Sequence, residues 1–426
     1  MAERCDVLVI GAGPAGLAAA AAAAGQGVDV MLLDAQPRAG GQVWRHDIAH
    51  RAPRRARHAL RRVAAVKRHF GIRVVDADAS ARMLRVEDAL HAREFGWDRL
   101  ILATGARELF LPFPGWTLPG VTGAGGLQAL VKQGWPVSGK RVVVAGSGPL
   151  LLAAAASLRA HRARVLAIVE QAARHDVHAF ARALWRWPDK LAQAVQLRAR
   201  LLGVPIHYGA VVRAARGDGT LCGVEIDSAG VSVELACDHL AAGFGLVPDA
   251  GFGRLLGCEL TAATQPAIRV DALQRTSVES VFAAGECCGI GGMDKARIEG
   301  AIAGHAAVGD ESVARALFAA RDRARRFADA VAHTFTLDPR TRTLADGETT
   351  VCRCEDVTLD ALRAFHDARA AKLATRCGMG ACQGRICGAA LAELFGWSWH
   401  GHPRQPLFPA RLASLADESL ARRSCP

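Results

Sequence analysis

The sequence predicts an α/β protein of parallel, Rossmann-like sheets with a small helical module near its C-terminus. Three observations predict it. A strand, a glycine-rich turn, a helix and a second strand follow one another at the N-terminus. The same layout recurs from residue 140. Two cysteine-bearing segments, 351–355 and 375–388, lie near the other end.

At 426 residues the chain calls for two or three units. Its 51% hydrophobic residues can fill large cores without disulfides. The apolar run that starts at Cys5 is broken by Gly11, Gly13, Pro14 and Gly16 and has no basic leader, so it reads as strand, turn and helix rather than as an export signal or membrane span. The cytoplasm is the expected location. The net charge is +12, part of it in the arginine-rich stretch 44–71. Without interleaved aromatics that stretch is expected to be a solvated helix and not a nucleic-acid interface. Of the twelve cysteines, Cys5, Cys222, Cys237, Cys258, Cys287, Cys288 and Cys425 are scattered, and the other five are clustered.

The first element is the apolar strand Cys5–Ile10, followed at once by Gly11-Ala12-Gly13-Pro14-Ala15-Gly16. Gly11 permits a tight turn, Gly13 lets the backbone approach a pyrophosphate, and Gly16 lets the helix pack on the strand. Pro14 and Ala15 begin that helix, whose free N–H groups hold the anion. The next strand ends in Asp34, a carboxylate placed to accept from ribose hydroxyls. Residues 140–158 repeat the plan with Gly146, Ser147 and Gly148, and the following strand ends in Glu170. Leu151 stands where a third glycine would be. A second adenine nucleotide, NAD(P) or ATP, is the candidate occupant there. The second unit is inserted in the first, which gives one unit at 1–110 and 240–340, an insertion at 111–239, a cysteine module at 345–400 and an extended tail at 401–426.

Two further strands end in Ala103-Thr104-Gly105 and in Gly285-Glu286. At these positions the chain resembles the two-dinucleotide-binding-domain flavoproteins. The resemblance makes FAD the first dinucleotide, with Thr104 and Gly105 closing the first part of its domain. Gly285 and Glu286 would meet the ribityl and phosphate side, glutamate replacing the commoner aspartate. Gly40, Gly41 and Gln42 are expected to lie against the flavin. No cysteine pair follows the first acid, and Cys222 and Cys237 are far apart in sequence. Disulfide-reductase chemistry is therefore disfavoured, and Cys287 and Cys288 are expected to be merely adjacent thiols.

Cys352-x-Cys354 and the segment holding Cys377, Cys382 and Cys387 flank a stretch expected to be helical. Four thiolates on such a frame suit an iron–sulfur cluster. Zinc and disulfides fit the spacing and the setting less well. Spacing alone leaves five candidates for four positions. The segments CRCE and GMGACQGRIC resemble the C-terminal module of the FAD-containing subunits of bacterial opine oxidases, D-hydroxyproline dehydrogenases and hydrogen cyanide synthase. That resemblance extends through DAQPRAGGQVWR, GSGPLLL, AAGFGLVPDAG and GECCGIGGMDKARIEGAIAGHAA. It implies a [2Fe–2S] cluster like that of bacterioferritin-associated ferredoxin, held by Cys352, Cys354, Cys382 and Cys387, with Cys377 left as a spare.

The same resemblance implies an oxidoreductase subunit that receives electrons from oxidation of an amino or imino acid C–N bond. An amino-acid-oxidase-like flavoprotein subunit would hold the substrate, and a small ferredoxin-like subunit would be a further partner. Electrons would leave through the cluster for a respiratory acceptor, with the complex at the inner membrane surface. No catalytic acid or base is assigned: His161, His175, His178 and His305 all suit structural or solvated roles. Two other readings stand beside this one. One is a self-contained NAD(P)H-dependent reductase that uses Gly146, Gly148 and Glu170. The other is a non-catalytic, redox-sensing iron–sulfur protein.

Overall fold

The computed structural model describes residues 3–228, 230–397 and 405–416, so the expected tail is described over 405–416 and Cys425 lies outside the described residues. The first part of the chain runs β1 (Glu3–Ile10), α1 (Pro14–Ala24), β2 (Val30–Asp34), α2 (Arg54–Arg62), β3 (Lys67–Phe70), β4 (Arg73–Asp78), β5 (Met83–Glu87), β6 (Ala92–Leu102) and β7 (Ala106–Glu108). There follow β8 (Val121–Gly123), α3 (Ala124–Lys132), β9 (Arg141–Gly146), α4 (Pro149–Ala160), β10 (Arg164–Glu170), α5 (Arg174–Ala183), α6 (Pro188–Arg200) and β11 (Ile206–Tyr208). Then come β12 (Ala210–Arg216), β13 (Gly223–Ser228), β14 (Val231–Ala236), β15 (His239–Gly243), β16 (Leu246–Pro248), α7 (Gly251–Leu255) and β17 (Val281–Ala283). The last part holds α8 (Gly292–Ala307), α9 (Glu311–Ala316), α10 (Phe318–Thr334), the hairpin β18 (Thr350–Cys352) and β19 (Val357–Thr358), and α11 (Asp360–Arg363), α12 (Ala368–Thr375), α13 (Cys387–Phe395) and α14 (Leu412–Leu415).

The first sheet has the order β3-β2-β1-β6-β5-β4, with β17 also beside β6. Its β3, β2, β1, β6 and β17 pairings are parallel, and β4 and β5 extend it antiparallel. The second sheet, β11-β10-β9-β15-β8, is parallel throughout. The chain therefore leaves the first sheet after β6, builds the second, and returns with β17. The two crossing strands, β7 and β16, pair with each other antiparallel. A parallel strand covered on both faces reads as a continuous apolar run. Val7, Leu8 and Val9 on β1, and Val142, Val143 and Val144 on β9, are accordingly buried. Each such side chain contributes about 1.5–3 kcal/mol.

Helices α1 and α8 meet almost backbone to backbone. A Cβ at Gly300 would sit 2.1 Å from the Ala15 carbonyl oxygen, and one at Gly304 would sit 2.3 Å from that of Ala19. The alanine-rich run thus serves as a flat surface for a second small-residue helix. The arginine-rich stretch does form a helix, α2, which buries only Ala56. Among the described residues no helix is long and apolar enough to cross a membrane.

Between the cysteine segments the expected continuous helix is instead two. Asp367 accepts hydrogen bonds from the N–H groups of Arg369 and Ala370 and starts α12 afresh. The module is not on a tether. Ala389 and Ala390 of α13 share a core with Leu111, Phe113 and Trp116, and the Trp116 indole donates to the Thr350 carbonyl at 2.6 Å. Gln265 and Arg342 both hold Glu393. The tail residues cross back to the first sheet, where the Leu407 N–H donates to Val75 at 2.8 Å.

Candidate functional site

The first glycine turn assembles as the spacing requires. Gly11 has φ +101°, and a Cβ there would lie 2.2 Å from the Ala103 carbonyl oxygen; a Cβ on Gly16 would lie 1.7 Å from that of Gly11. Gly13 is different: its nearest neighbour would be the Cα of Gly41, at 3.9 Å. The first and third glycines are thus demanded by packing, and the second has room beside it, with no contact closer than an ordinary one. That space is a cradle which a side chain would fill and a pyrophosphate can enter.

Asp34 lies at the lip. Its carboxylate accepts from the N–H groups of Ala12 and Gln36, at 2.5 and 2.7 Å. Burial pushes its pKa up, against those two bonds and the nearby Arg45 guanidinium. Arg45 donates to Gln42 at 2.8 Å, so the acid and the Gly41-Gln42 turn are linked through one arginine. Gly41 and Gly285 close on the same place: their added Cβ atoms would meet Gly13 and Ala15, each at 2.8 Å. The Gly285 N–H donates to the fully buried Glu299, which also accepts from Lys295 and Arg325 at 2.9 and 2.8 Å. A buried carboxylate needs such pairing. Thr104 donates to the Asp249 carbonyl at 2.7 Å, and Gly105 takes φ +78°. Glu286 accepts from the Gly292 N–H at 2.9 Å, at the start of α8. Pro14, Ala15 and these residues therefore ring one cradle, whose donors and free space fit FAD. Cys287 and Cys288 adjoin it as free thiols, their sulfurs 3.9 Å apart.

The second turn is organised otherwise. Gly146 and Gly148 have φ of +139° and +95°. Glu170 accepts from the Gly148 and Ala172 N–H groups, both at 2.9 Å, and from the Ser147 hydroxyl at 3.1 Å. Burial raises its pKa. Its three donors are all supplied by the chain. The linker after α10 crosses the carboxyl ends of these strands. Phe335 would lie 3.6 Å from a Cβ on Gly148, Asp338 N–H donates to Gln171 at 3.2 Å, and Arg340 donates to the Gly209 carbonyl at 2.9 Å. This cover has no motif in the sequence to announce it.

The thiols gather in the C-terminal module. The sulfurs of Cys352, Cys377 and Cys387 lie within 4.8 Å of one another. Cys382 shares hydrogen bonds with Cys387 and Cys354. The Gly378 N–H points at the Cys352 sulfur, at 3.5 Å. Cys377, which the resemblance leaves as a spare, is buried beside Cys352 and Cys387, two of the four cysteines that the resemblance assigns, while Cys382 is half-buried and Cys354 exposed. The repeated five-residue step 377–382–387 is the signal that could have found it. Cys387 holds the Cys382 pKa down to about 4, while its own is driven up by hydrogen bonding to Cys377 and Cys382. Thiols this close, two of them with lowered pKa, fit an iron–sulfur centre. Arg385 stacks on Phe408 and donates to Leu407, and Arg353 stacks on Trp116.

Glu108 was not foreseen either. It reaches from β7 to the start of α3 and accepts from the N–H groups of Gly125 and Gly126, at 2.7 and 2.9 Å.

Two nucleotide-type sheets, the first with an open glycine cradle, define an FAD-dependent oxidoreductase. The chain belongs to the pyridine nucleotide-disulphide oxidoreductase family, whose model matches residues 5–307, and within it to the group that includes subunits of opine oxidase. One opine oxidase subunit, from Rhizobium meliloti (strain 1021), is 33% identical, over 97% of this chain and 98% of its own length. Hydrogen cyanide synthase subunit HcnB of Pseudomonas aeruginosa is 34% identical, over 89% and 90%. Among solved structures, L-proline dehydrogenase from P. horikoshii superposes with a TM-score of 0.67, at 18% identity, over 98% of this chain and 80% of that one. The thioredoxin reductase of T. acidophilum superposes at 0.57, with 23% identity, over 74% and 99%. These two likenesses concern the fold.

Proposed function

We propose that this chain is the FAD-bearing subunit of a hetero-oligomeric dehydrogenase that oxidises a C–N bond of an amino or imino acid, of the D-hydroxyproline or opine class. Bound FAD supplies a two-electron acceptor, and a [2Fe–2S] centre on the C-terminal thiols supplies one-electron steps toward a respiratory acceptor. The observation that carries the reading is the buried group of Cys352, Cys377 and Cys387, with Cys382 and Cys354 beside it, in a module that shares a core with the nucleotide-type units. Around the cradle the chain's own residues bind and orient. Gly13 would admit the pyrophosphate and Asp34 would meet the ribose, while Glu299 fixes Gly285. Substrate would be held by an amino-acid-oxidase-like partner subunit. The opine oxidase and HcnB relatives are themselves named as subunits, which supports that arrangement.

The test is flavin bleaching under anaerobic conditions. D-hydroxyproline or an opine should bleach the flavin only when the partner is co-purified. The reduced complex should also give an iron–sulfur EPR signal, which disappears when Cys352 and Cys382 are replaced by serine. Bleaching of the isolated chain by NADH or NADPH would instead establish a self-contained reductase. The second glycine turn and a 29% identical ferredoxin–NADP reductase of Salinispora arenicola favour that reading, and the Phe335 cover opposes it. A chain with iron but no flavin would establish a redox sensor.

A further inference from the structure

Outside every glycine motif, a second group of ligand atoms joins the two units. Asp47 and His50 come from the loop that follows Gln42, and His161 ends α4 of the second sheet. His161 Nε2 lies 3.2 Å from Asp47 Oδ2, and His50 Nδ1 lies 3.3 Å from the same oxygen. All three ligand atoms fall within 4.8 Å of one another. The remaining His161 nitrogen, Nδ1, is 2.8 Å from the Ser157 carbonyl. A carbonyl only accepts, so Nδ1 carries the proton, and Nε2 of the neutral ring turns a lone pair toward a carboxylate. Two acceptors at that separation need a positive charge between them.

A proton on the His161 ring would supply one, since His50 can donate to Asp47 from Nδ1 as a neutral ring; a divalent cation supplies more charge and binds all three ligand atoms at once. A divalent cation fits both nitrogen–oxygen separations. With bonds of about 2.0–2.1 Å, tetrahedral ligand atoms stand about 3.3 Å apart. The Ser157 carbonyl is also the kind of outer partner that orients a metal-bound imidazole. Asp47 Oδ1 is engaged by the N–H groups of Ala49 and His50 and also lies 3.3 Å from His161 Nε2, so that nitrogen faces both carboxylate oxygens. The side chains of Asp47 and His161 are only 14% and 9% exposed, while His50, at 47%, leaves a face open to water. The Ile48 N–H donates to the Lys132 carbonyl at 2.9 Å, so the loop is held in place before any ion arrives.

We propose that Asp47, His50 and His161 form a zinc-type divalent metal site, with water in the fourth position, that clamps the loop beside the flavin cradle to the second sheet. Imidazole and carboxylate donors suit zinc, nickel or copper. Zinc is the probe. The flavin-loaded chain is stripped with EDTA, dialysed against micromolar zinc and analysed by mass spectrometry for metals. The native chain should retain one zinc more per molecule than His50→Gln or His161→Gln, with flavin and iron contents equal in all three. Zinc should raise Tm of the native chain and leave both variants unmoved. His50 is half exposed, so His50→Gln keeps the fold. Equal zinc in the three proteins, or none retained by any, overturns the proposal.

Discussion

The two glycine turns begin from the same plan and solve the closeness of helix and strand in opposite ways. In the first, the helix gives way: Gly16 lets α1 reach the Gly11 carbonyl, and Ala103 stands behind it. In the second, the strand gives way: Gly243 of β15 is bare, and the Leu151 side chain of α4 fills the space 3.4 Å from where its Cβ would be. The third glycine of a nucleotide motif is therefore a statement about packing volume, which either partner can supply. The second glycine is a statement about ligand. In the first unit its nearest neighbour is the backbone of Gly41, and in the second it is the Phe335 side chain.

The largest effect should come from breaking the first solution. Gly16→Ala puts a methyl group onto a carbonyl with no side chain to yield, at a cost of at least ~3 kcal/mol. The variant should be recovered colourless or insoluble, read from the ratio of flavin absorbance to protein. Leu151→Ala tests the second solution. The residue is 1% exposed, so a cavity costing ~2–5 kcal/mol follows. Tm should fall while flavin content stays whole; loss of flavin would mean that the units are not separable in this way.

A smaller contrast separates the acids. Asp34→Asn should weaken FAD binding by ~1.5–3 kcal/mol, the worth of hydrogen bonds to a charged group. Glu170→Gln should leave FAD binding unchanged. Equal flavin loss in both would erase the distinction. The smallest effect lies at the amino ends of β9 and β15, two inner strands of the second sheet, where Arg141 holds the Asp238 pKa down to about 2. A carboxylate depressed from 3.8 adds stability above that value and loses it as pH falls toward 2. The acid-unfolding profile of Asp238→Asn should therefore differ from the native one above pH ~4 and merge with it near pH ~2.

Both glycine turns, their acids and the parallel strands were legible because each depends on residues close in sequence. A run such as Val142–Val144 announces its own burial. What escaped reading depends on residues brought together from far apart. Phe335 lies over Gly148, Glu108 holds α3, and Glu299 fixes Gly285 across a helix turn and a loop. None of these has a local pattern. Cys377 is the exception, since its spacing was visible and only the resemblance set it aside. The break at Asp367 was also visible, as a capping residue in a helical pattern.

The docking of α13 into the core of the inserted unit has a kinetic consequence. A thiol-bearing module on a free tether would shuttle, and its turnover would slow in glycerol or change with tether length. Here Ala389, Ala390, Trp116 and Glu393 fix it in place. Any charge that moves between the two ends of this chain must cross a gap of constant width, at a rate indifferent to the viscosity of the solvent.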